Sequence, residues 1–473
     1  MNKTKAIHWF RQDLRIRDNP SLYAAAEKGI LLPVYILDDF NSGKLKMGAA
    51  SRVWLHHSLK ALNKSLDGHL LILMGDPLHL IPELLKITGI KRIYWNRCYE
   101  PWRIQRDKQL KEILRYSGVE FQTFNGSLLW EPGVVLKQDG TPYRVFTPFY
   151  RKGCLGAESP RLPIVKPPKM ALEQELYGSM KIDDLKLLPV KNWDLKIESQ
   201  WNISEDTAHD LLDCFLISEM WNYREGRNYP AQKHVSRISP YLHHGQLSPN
   251  QVWHAALAKE GGRGNVENFL QELGWREFSY SLLYHFPDLM RSNLQRKFDA
   301  FPWSSESPFL SSWKRGLTGY PFVDAGMREL WQTGYMHNRV RMITASFLVK
   351  NLLIHWHHGR DWFWDCLVDA DLANNSASWQ WVAGCGADAA PYFRIFNPVT
   401  QGIKYDPEGK YTRNFIPELA RLPNQYLFRP WEAPKTILTD AGILIGKTYP
   451  SPVVDMKKTR NDALKAYSSL KVA

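Results

Sequence analysis

The sequence predicts an α/β domain with a doubly wound parallel sheet, followed by a larger all-α domain. Three observations carry this. Residues 1–130 alternate short β-rich runs with amphipathic stretches, the pattern of βαβ units. Residues 131–200 lose that periodicity and hold Pro160, Pro163, Pro167, Pro168 and Pro189 among lysines, as an inter-domain linker does. From Ser204, an N-cap candidate followed by Glu205 and Asp206, helical periodicity and Trp-rich segments dominate residues 201–473.

In chain order, strands are expected at Ala6–Phe10, Leu31–Leu37, Leu70–Met74, Arg92–Trp95 and Glu120–Phe124. Helices are expected near 19–28, 51–66, 78–88 and 101–117; in the last, Ile104, Leu110, Ile113 and Leu114 alternate with charges. Ligands of such sheets sit beyond the carboxyl ends of the strands. The Gly-x-Gly-x-x-Gly turn is absent, so ordinary dinucleotide binding by this domain is not expected.

Length and composition bound the class. A chain of 473 residues sets a prior of about three domains at roughly 150 residues each. Hydrophobic residues are 44% and charged residues 23%, ordinary globular usage that excludes disorder, collagen and coiled coil. The net charge of +13 favours a polyanionic partner, although a generally basic enzyme fits as well. The 19 Trp, 21 Tyr and 20 Phe serve large cores, stacking surfaces or redox work, which composition cannot separate. Cys98, Cys154, Cys214, Cys366 and Cys385 form no CxxC pair and no metal spacing, so reduced thiols and a cytoplasmic setting are expected. No secretory leader and no run of about 18 apolar residues is seen, so no membrane association is expected.

Several clusters place polar and aromatic groups one helical turn apart. Glu272 and Trp275 are i,i+3 neighbours, so a carboxylate can bond a base edge while the indole stacks on it. A core Trp beside a solvated Glu is the plainer reading. Asn338, Arg341 and Met342 share a face, flanked by Arg339, and suit an anionic ligand, a buried ion pair or surface salt bridging. Asp369 and Asp371 precede a helix, where carboxylates cap without any ligand. A metal is not expected there, because no His or Glu stands at ligand spacing. Asn375 and Trp379 are i,i+4, and two buried Trp at 379 and 381 is the plain reading of that segment.

Longer motifs carry a resemblance. Phe10-Arg-Gln-Asp-Leu-Arg15 with Asp18-Asn19, Ser236-Arg-Ile-Ser-Pro-Tyr-Leu242, Trp275-Arg-Glu-Phe278, Gly319-Tyr-Pro-Phe-Val-Asp324, Met336-His-Asn-Arg-Val-Arg-Met-Ile343 and Asp388-Ala-Ala-Pro-Tyr-Phe-Arg-Ile-Phe-Asn-Pro398 resemble the DNA photolyase and cryptochrome family, nearest to class I cyclobutane pyrimidine dimer photolyases. The resemblance implies an antenna-binding α/β domain and a helical domain holding a U-shaped FAD. It implies that photoexcited reduced flavin gives an electron to a flipped-out pyrimidine dimer in DNA, with the hard chemistry supplied by the cofactor. Tyr223, Ser236, Arg237 and Ser239 would hold the phosphates and sugar, with Val235 and Ile238 beside them; a relative's Thr hydroxyl is absent at 235. Arg341 would pair with Asp369 beside the isoalloxazine, with Ala370 and Asp371 at its ring or ribityl end, and Asn375 would face N5. That amide, unlike the acid of plant cryptochromes or the thiol of insect ones, favours repair. Glu272, Trp275, Asn338, Met342 and Trp381 would line the lesion pocket, with Arg227 and Arg339 near DNA. Trp379, Trp356 and Trp303 match the family's electron-transfer chain.

The rival reading is a cryptochrome-type light sensor without repair. The chain ends soon after Asn397-Pro398, which is read as lacking a signalling extension. Six-four photoproduct lyases place histidines where this chain has Asn338 and Met342. A second antenna chromophore is expected, either methenyltetrahydrofolate or a deazaflavin or flavin; folate binders carry Asn-Glu where this chain has Trp102-Arg103. A monomer is expected.

Overall fold

The computed structural model describes residues 4–164, 170–259, 263–304, 308–389, 391–392 and 394–470; Pro167 and Pro168 of the expected linker lie outside them. The first element, strand β1 (Lys5–Phe10), leads through α1 (Pro20–Ala26) to β2 (Ile30–Leu37), and α2 (Ala49–Ser65) leads to β3 (Leu71–Met74). Helix α3 (Pro77–Thr88), β4 (Arg92–Asn96), α4 (Pro101–Tyr116) and β5 (Glu120–Phe124) complete the series. Every pairing is parallel and the order is β3-β2-β1-β4-β5. The strand order therefore reverses between β1 and β4.

Local signals fix the helix starts. The Asn19 side chain accepts from Leu22 N, and Asp76 accepts from Leu78 N ahead of Pro77, each satisfying an orphan donor of a first turn. Gly89 ends α3 at φ +68, a left-handed position that favours glycine. Strands β1, β2 and β4 are covered on both faces and are largely buried apolar runs, while the edge strand β5 is half-exposed. Ala6, Phe10, Leu31, Tyr35 and Leu37 pack with Leu55, Leu59 and Leu62 of α2. Ile7, Trp9, Leu32, Val34 and Ile36 pack with Leu84 of α3 and Leu110 of α4.

The chain forms two compact units. The first comprises residues 1–218, 236–287 and 368–373, and the second 219–235, 288–367 and 374–473. These bounds differ from the expected breaks at 130 and 200. Residues 131–200 do not run free: a π-turn at Phe149–Cys154 buries Phe149, Tyr150 and Cys154, and a short strand β6 (Ala171–Leu172) pairs parallel with β2 at Ile30 and Leu31. Two residues of strand and one irregular turn have too little period to register in composition. The second unit is helical, with Pro321–Thr333, Asn338–Ser346 and Trp356–Cys366 as its longer inner helices. Helix Leu372–Ala383 begins in the first unit and continues in the second. Among the described residues no helix is long and apolar enough to cross a membrane.

Candidate functional site

The residues singled out above divide between the two units. In the first, helix Arg263–His285 carries Glu272 and Trp275, both half-buried and one turn apart. Phe146 covers one face of Trp275 at 3.9 Å with 10° between the rings, and Phe278 meets it edge-on at 5.8 Å. Glu277, next but one along, is fully enclosed, accepts from Leu129 N at 2.9 Å and Trp130 N at 3.2 Å, and meets Arg276 at 3.1 Å. Burial pushes its carboxyl up to about 7 against these donors.

Arg237 has φ +53, a left-handed conformation costly for a side-chain-bearing residue and often found at binding sites. Its guanidinium lies 4.3 Å from the Trp201 ring centroid. The turn sets up helix Ser239–His244: Ile238 and Pro240 point inward while Ser239 stays exposed. The Ser239 hydroxyl donates to Asp369 Oδ2 at 2.6 Å. The Tyr280 hydroxyl donates to the Asp371 carboxylate, and burial followed by that carboxylate raises the phenol well above its ordinary range. Asp369, Ala370 and Asp371 are all buried. His243 Nδ1 lies 3.7 Å from Asp371 and has no hydrogen-bond partner among the described residues.

In the second unit, Tyr223 is buried with the Arg227 guanidinium 5.3 Å from its ring, and Val235 is half-buried. Helix Asn338–Ser346 is capped by His337, whose ring accepts from Arg339 N at 3.2 Å. Burial first, then Arg339, Arg341 and Arg227, hold that imidazole neutral down to about 3. The cap presents Asn338 to solvent, and Arg339 donates to Asn228 Oδ1 and to Met342 Sδ at 3.9 Å. Arg341 Nε donates to Met336 O at 2.6 Å. Arg341 and Asp369 fall in different units, each with the own-unit partners given.

Helix Leu372–Ala383 separates the two tryptophans as its period demands. Trp379 is 2% exposed and packs edge-on against Phe363 at 5.0 Å and Trp313 at 6.2 Å. It lies over Gly359, where a Cβ would stand 2.0 Å from the ring. Asn375 Nδ2 donates to Arg360 O at 3.0 Å, so Asn375 and Trp379 face the same neighbouring helix. Trp381 is half-buried. Trp356 is fully buried and its indole N–H donates to Asn293 Oδ1 at 2.9 Å. Trp303 is half-buried against Phe301 at 4.4 Å and His355 at 5.1 Å.

Sequence reasoning missed His337, Gly359, Asn293 and Gln380. Gln380 is fully buried and donates to Leu289 O at 2.6 Å and Ser292 O at 2.9 Å. Gly359, Asn293 and Gln380 act through partners far away in the chain, whereas His337 caps its own helix. No local pattern marks them.

A flavin dinucleotide needs hydroxyl and carboxylate partners for its sugars and phosphate-bearing arm, and an aromatic surround for its ring. In the first unit, the exposed Ser239 beside the strained Arg237 and the buried Asp369 and Asp371 fit the sugar and phosphate-bearing arm of such a group. At the sheet crest Arg11 pairs with Asp107 at 2.6 Å, and Arg106 with Asp38 at 2.8 Å and Asp107 at 2.7 Å. Arg103 covers Trp102 at 4.4 Å, the expected folate-pair positions. The indole N–H groups of Trp9 and Trp102 find no acceptor among the described residues.

Two family models match: "DNA photolyase" over residues 6–169, and "FAD binding domain of DNA photolyase" over residues 269–469. A deoxyribodipyrimidine photo-lyase of Agrobacterium fabrum is 47% identical over 98% of both chains. Cryptochrome-2 of Arabidopsis thaliana is 36% identical over 99% of this chain and 79% of its own. The crystal structure of a class III photolyase from Agrobacterium tumefaciens superposes with a TM-score of 0.95 at 45% identity, covering 100% of this chain and 99% of that one. The motifs had pointed to class I; the structural relative is described as class III, and the family is common to both.

Proposed function

The chain belongs to the DNA photolyase family, and from that premise we propose that it repairs cyclobutane pyrimidine dimers in DNA under blue light, as a cytoplasmic monomer. The observation that carries this reading is the orientation of Asn375. Its amide nitrogen is spent on Arg360 O at 3.0 Å, which leaves Oδ1 as an acceptor. An acceptor at that place suits an N5 that bears hydrogen, the state of a reduced flavin.

FAD, when bound, would supply light absorption and one-electron chemistry toward the dimer. The chain's part is to hold, orient and exclude water. Tyr223, Ser236, Arg237 and Ser239, flanked by Val235 and Ile238, would bind the phosphate and sugar arm. Arg341, Trp275 and Asp369 to Asp371 would hold the ring system and ribityl chain. Glu272 would accept from a base edge of the flipped dimer, while Trp275 and Trp381 stack on it. Asn338 and Met342 would complete the pocket, and Arg227 and Arg339 would neutralise phosphates. Trp379, Trp356 and Trp303 would carry electrons inward when the flavin arrives oxidised. The antenna stays open among folate, deazaflavin and flavin; the acceptorless indole N–H groups of the crest support a ring with carbonyl or ring-nitrogen acceptors.

The test is turnover of a defined thymine dimer under blue light, beside a six-four product as control. Splitting of the dimer alone is expected. FAD-loaded protein that repairs neither lesion would leave the sensor reading, which the 36% identity to a plant cryptochrome favours.

A further inference from the structure

We propose that Trp356 is tuned as a transit site, held by Asn293 and Arg360 so that an electron vacancy crosses it as a cation and does not settle there. The inference rests on the electron-relay reading of Trp379, Trp356 and Trp303 given above.

Two side chains bond or charge Trp356, Asn293 and Arg360, and the His357 and His355 rings pack against it at 4.1 and 5.6 Å. Its indole N–H donates to Asn293 Oδ1 at 2.9 Å, and Asn293 Nδ2 donates to Asp299 Oδ1 at 2.8 Å. Asn293 is buried, so this pair of bonds fixes its carbonyl oxygen on the indole. A carboxamide accepts a hydrogen bond and has no site for the proton itself. Loss of one electron makes an indole N–H strongly acidic. A carboxylate or imidazole in place of Asn293 would take that proton and strand a neutral radical. The amide keeps the proton on the ring.

Arg360 acts on the π-face. Its guanidinium carbon stands 5.3 Å from the Trp356 centroid, attractive to the neutral ring and repulsive to the oxidised one. Its counter-charge sits outside: Arg360 is 18% exposed and Asp361 65%, so water screens the carboxylate more than the cation. On the outward side the neighbour is neutral. His355 lies 5.6 Å from Trp356 and 5.1 Å from Trp303, and burial lowers its pKa to about 4. A vacancy at Trp356 therefore meets repulsion at Arg360 and none at His355, and is driven toward Trp303.

The balance is simple. Trp356 gives one electron to oxidised Trp379 and regains one from Trp303, with no proton lost. A photoexcited flavin is the one-electron oxidant at the inner end. An external thiol makes good the loss at Trp303 and releases its own proton to water.

The experiment is flash-induced transient absorption of flavin-loaded protein in H2O and D2O, for wild type, Asn293→Asp, Arg360→Gln and Trp356→Phe. Wild type should show only the indole cation at Trp356, with no solvent isotope effect. Asn293→Asp should accumulate neutral indolyl radical, slow in D2O, and lower the yield of oxidised Trp303 several-fold. Arg360→Gln, which leaves the Asn293 bond in place, should lengthen the life of the Trp356 cation several-fold. Cation-only spectra in Asn293→Asp together with an unchanged lifetime in Arg360→Gln would overturn the proposal. Should Asn293→Asp not fold, the Arg360→Gln lifetime decides alone. An undiminished photoreduction yield in Trp356→Phe would instead remove the relay reading beneath it.

Discussion

Trp9 and Trp102 of the first unit and Trp379 and Trp303 of the second have different kinds of neighbour. Around the sheet crest, guanidinium groups lie over indoles: Arg11 and Arg106 stand 4.9 and 4.8 Å from Trp9, and Arg103 stands 4.4 Å from Trp102. In the second unit Trp379 and Trp303 meet other rings instead, Phe363 and Trp313 in one case and Phe301 and His355 in the other. A cation over an indole steadies the neutral ring and resists its oxidation. Trp356 of the second unit, with Arg360 5.3 Å from its ring, shares the cation-covered surroundings of Trp9 and Trp102, whereas Trp379 and Trp303 pack on rings. Composition, which counts all 19 together, cannot tell them apart.

The largest expected effect breaks the first side of this contrast. Asp107 is buried and serves both Arg11 and Arg106. Asp107→Ala strands the Arg11 guanidinium and leaves Arg106 with Asp38 alone, and urea unfolding should show a loss of about 3–5 kcal/mol. Photoreduction by the second unit's tryptophans should persist in protein that stays folded; its disappearance would deny that the two sets are independent.

A smaller effect concerns pH. Glu277 ionises at about 7 in the folded protein against 4.5 ordinarily. The folded state thus prefers the protonated form, so stability is fullest below pH 4.5 and is lost as pH rises toward 7. The shift corresponds to about 3 kcal/mol. Thermal melts of Glu277→Gln should lack this decline between acid and neutral pH, whereas an identical pH profile in both proteins would show that the donors at Leu129, Trp130 and Arg276 outweigh burial.

Gly359→Ala attacks the ring-packed side. The new methyl would collide with the Trp379 ring, an overpacking cost of about 1–3 kcal/mol, and flavin bleaching under blue light should slow. An unchanged rate would show that the placement of Trp379 tolerates movement.

The finest distinction lies within helix Leu372–Ala383. Trp379→Phe should stop photoreduction of oxidised flavin and spare repair by chemically reduced protein. Trp381→Ala should do the reverse, weakening dimer-containing oligonucleotide in the dark by roughly 1–3 kcal/mol. Equal failure of both variants in both assays would make the pair simple core packing.

Legibility followed period. The strands of the sheet stand within a residue or so of the bounds expected from sequence, because two covered faces force long apolar runs between capped helices. The segment 131–200 was not legible, since a two-residue strand and a π-turn leave no repeat to detect. The candidate residues proposed around the flavin were named by motif resemblance and not by spacing; unaided, Glu272 with Trp275 reads as a solvated Glu beside a core Trp, and Asp369 with Asp371 as capping groups. Asn293 and Gly359 were invisible, because what makes them matter is an indole 63 residues away in one case and a distant helix's ring in the other.

The bond from Asn375 to Arg360 O restricts what position 375 can become. The acceptor is main chain, so no substitution at 360 other than one that moves the backbone removes it. Any replacement at 375 must bring a hydrogen to that carbonyl or leave it facing a lone pair, at a cost of about 1–3 kcal/mol for a buried group. Glutamine and asparagine bring one at every pH. Aspartic acid brings one only while protonated, so an acid here would be pressed to keep its proton and would turn from acceptor into donor. Cysteine brings a weak one. A main-chain oxygen thus decides which chemistries can be tried at this place by single mutation, and which must wait for the helix to shift.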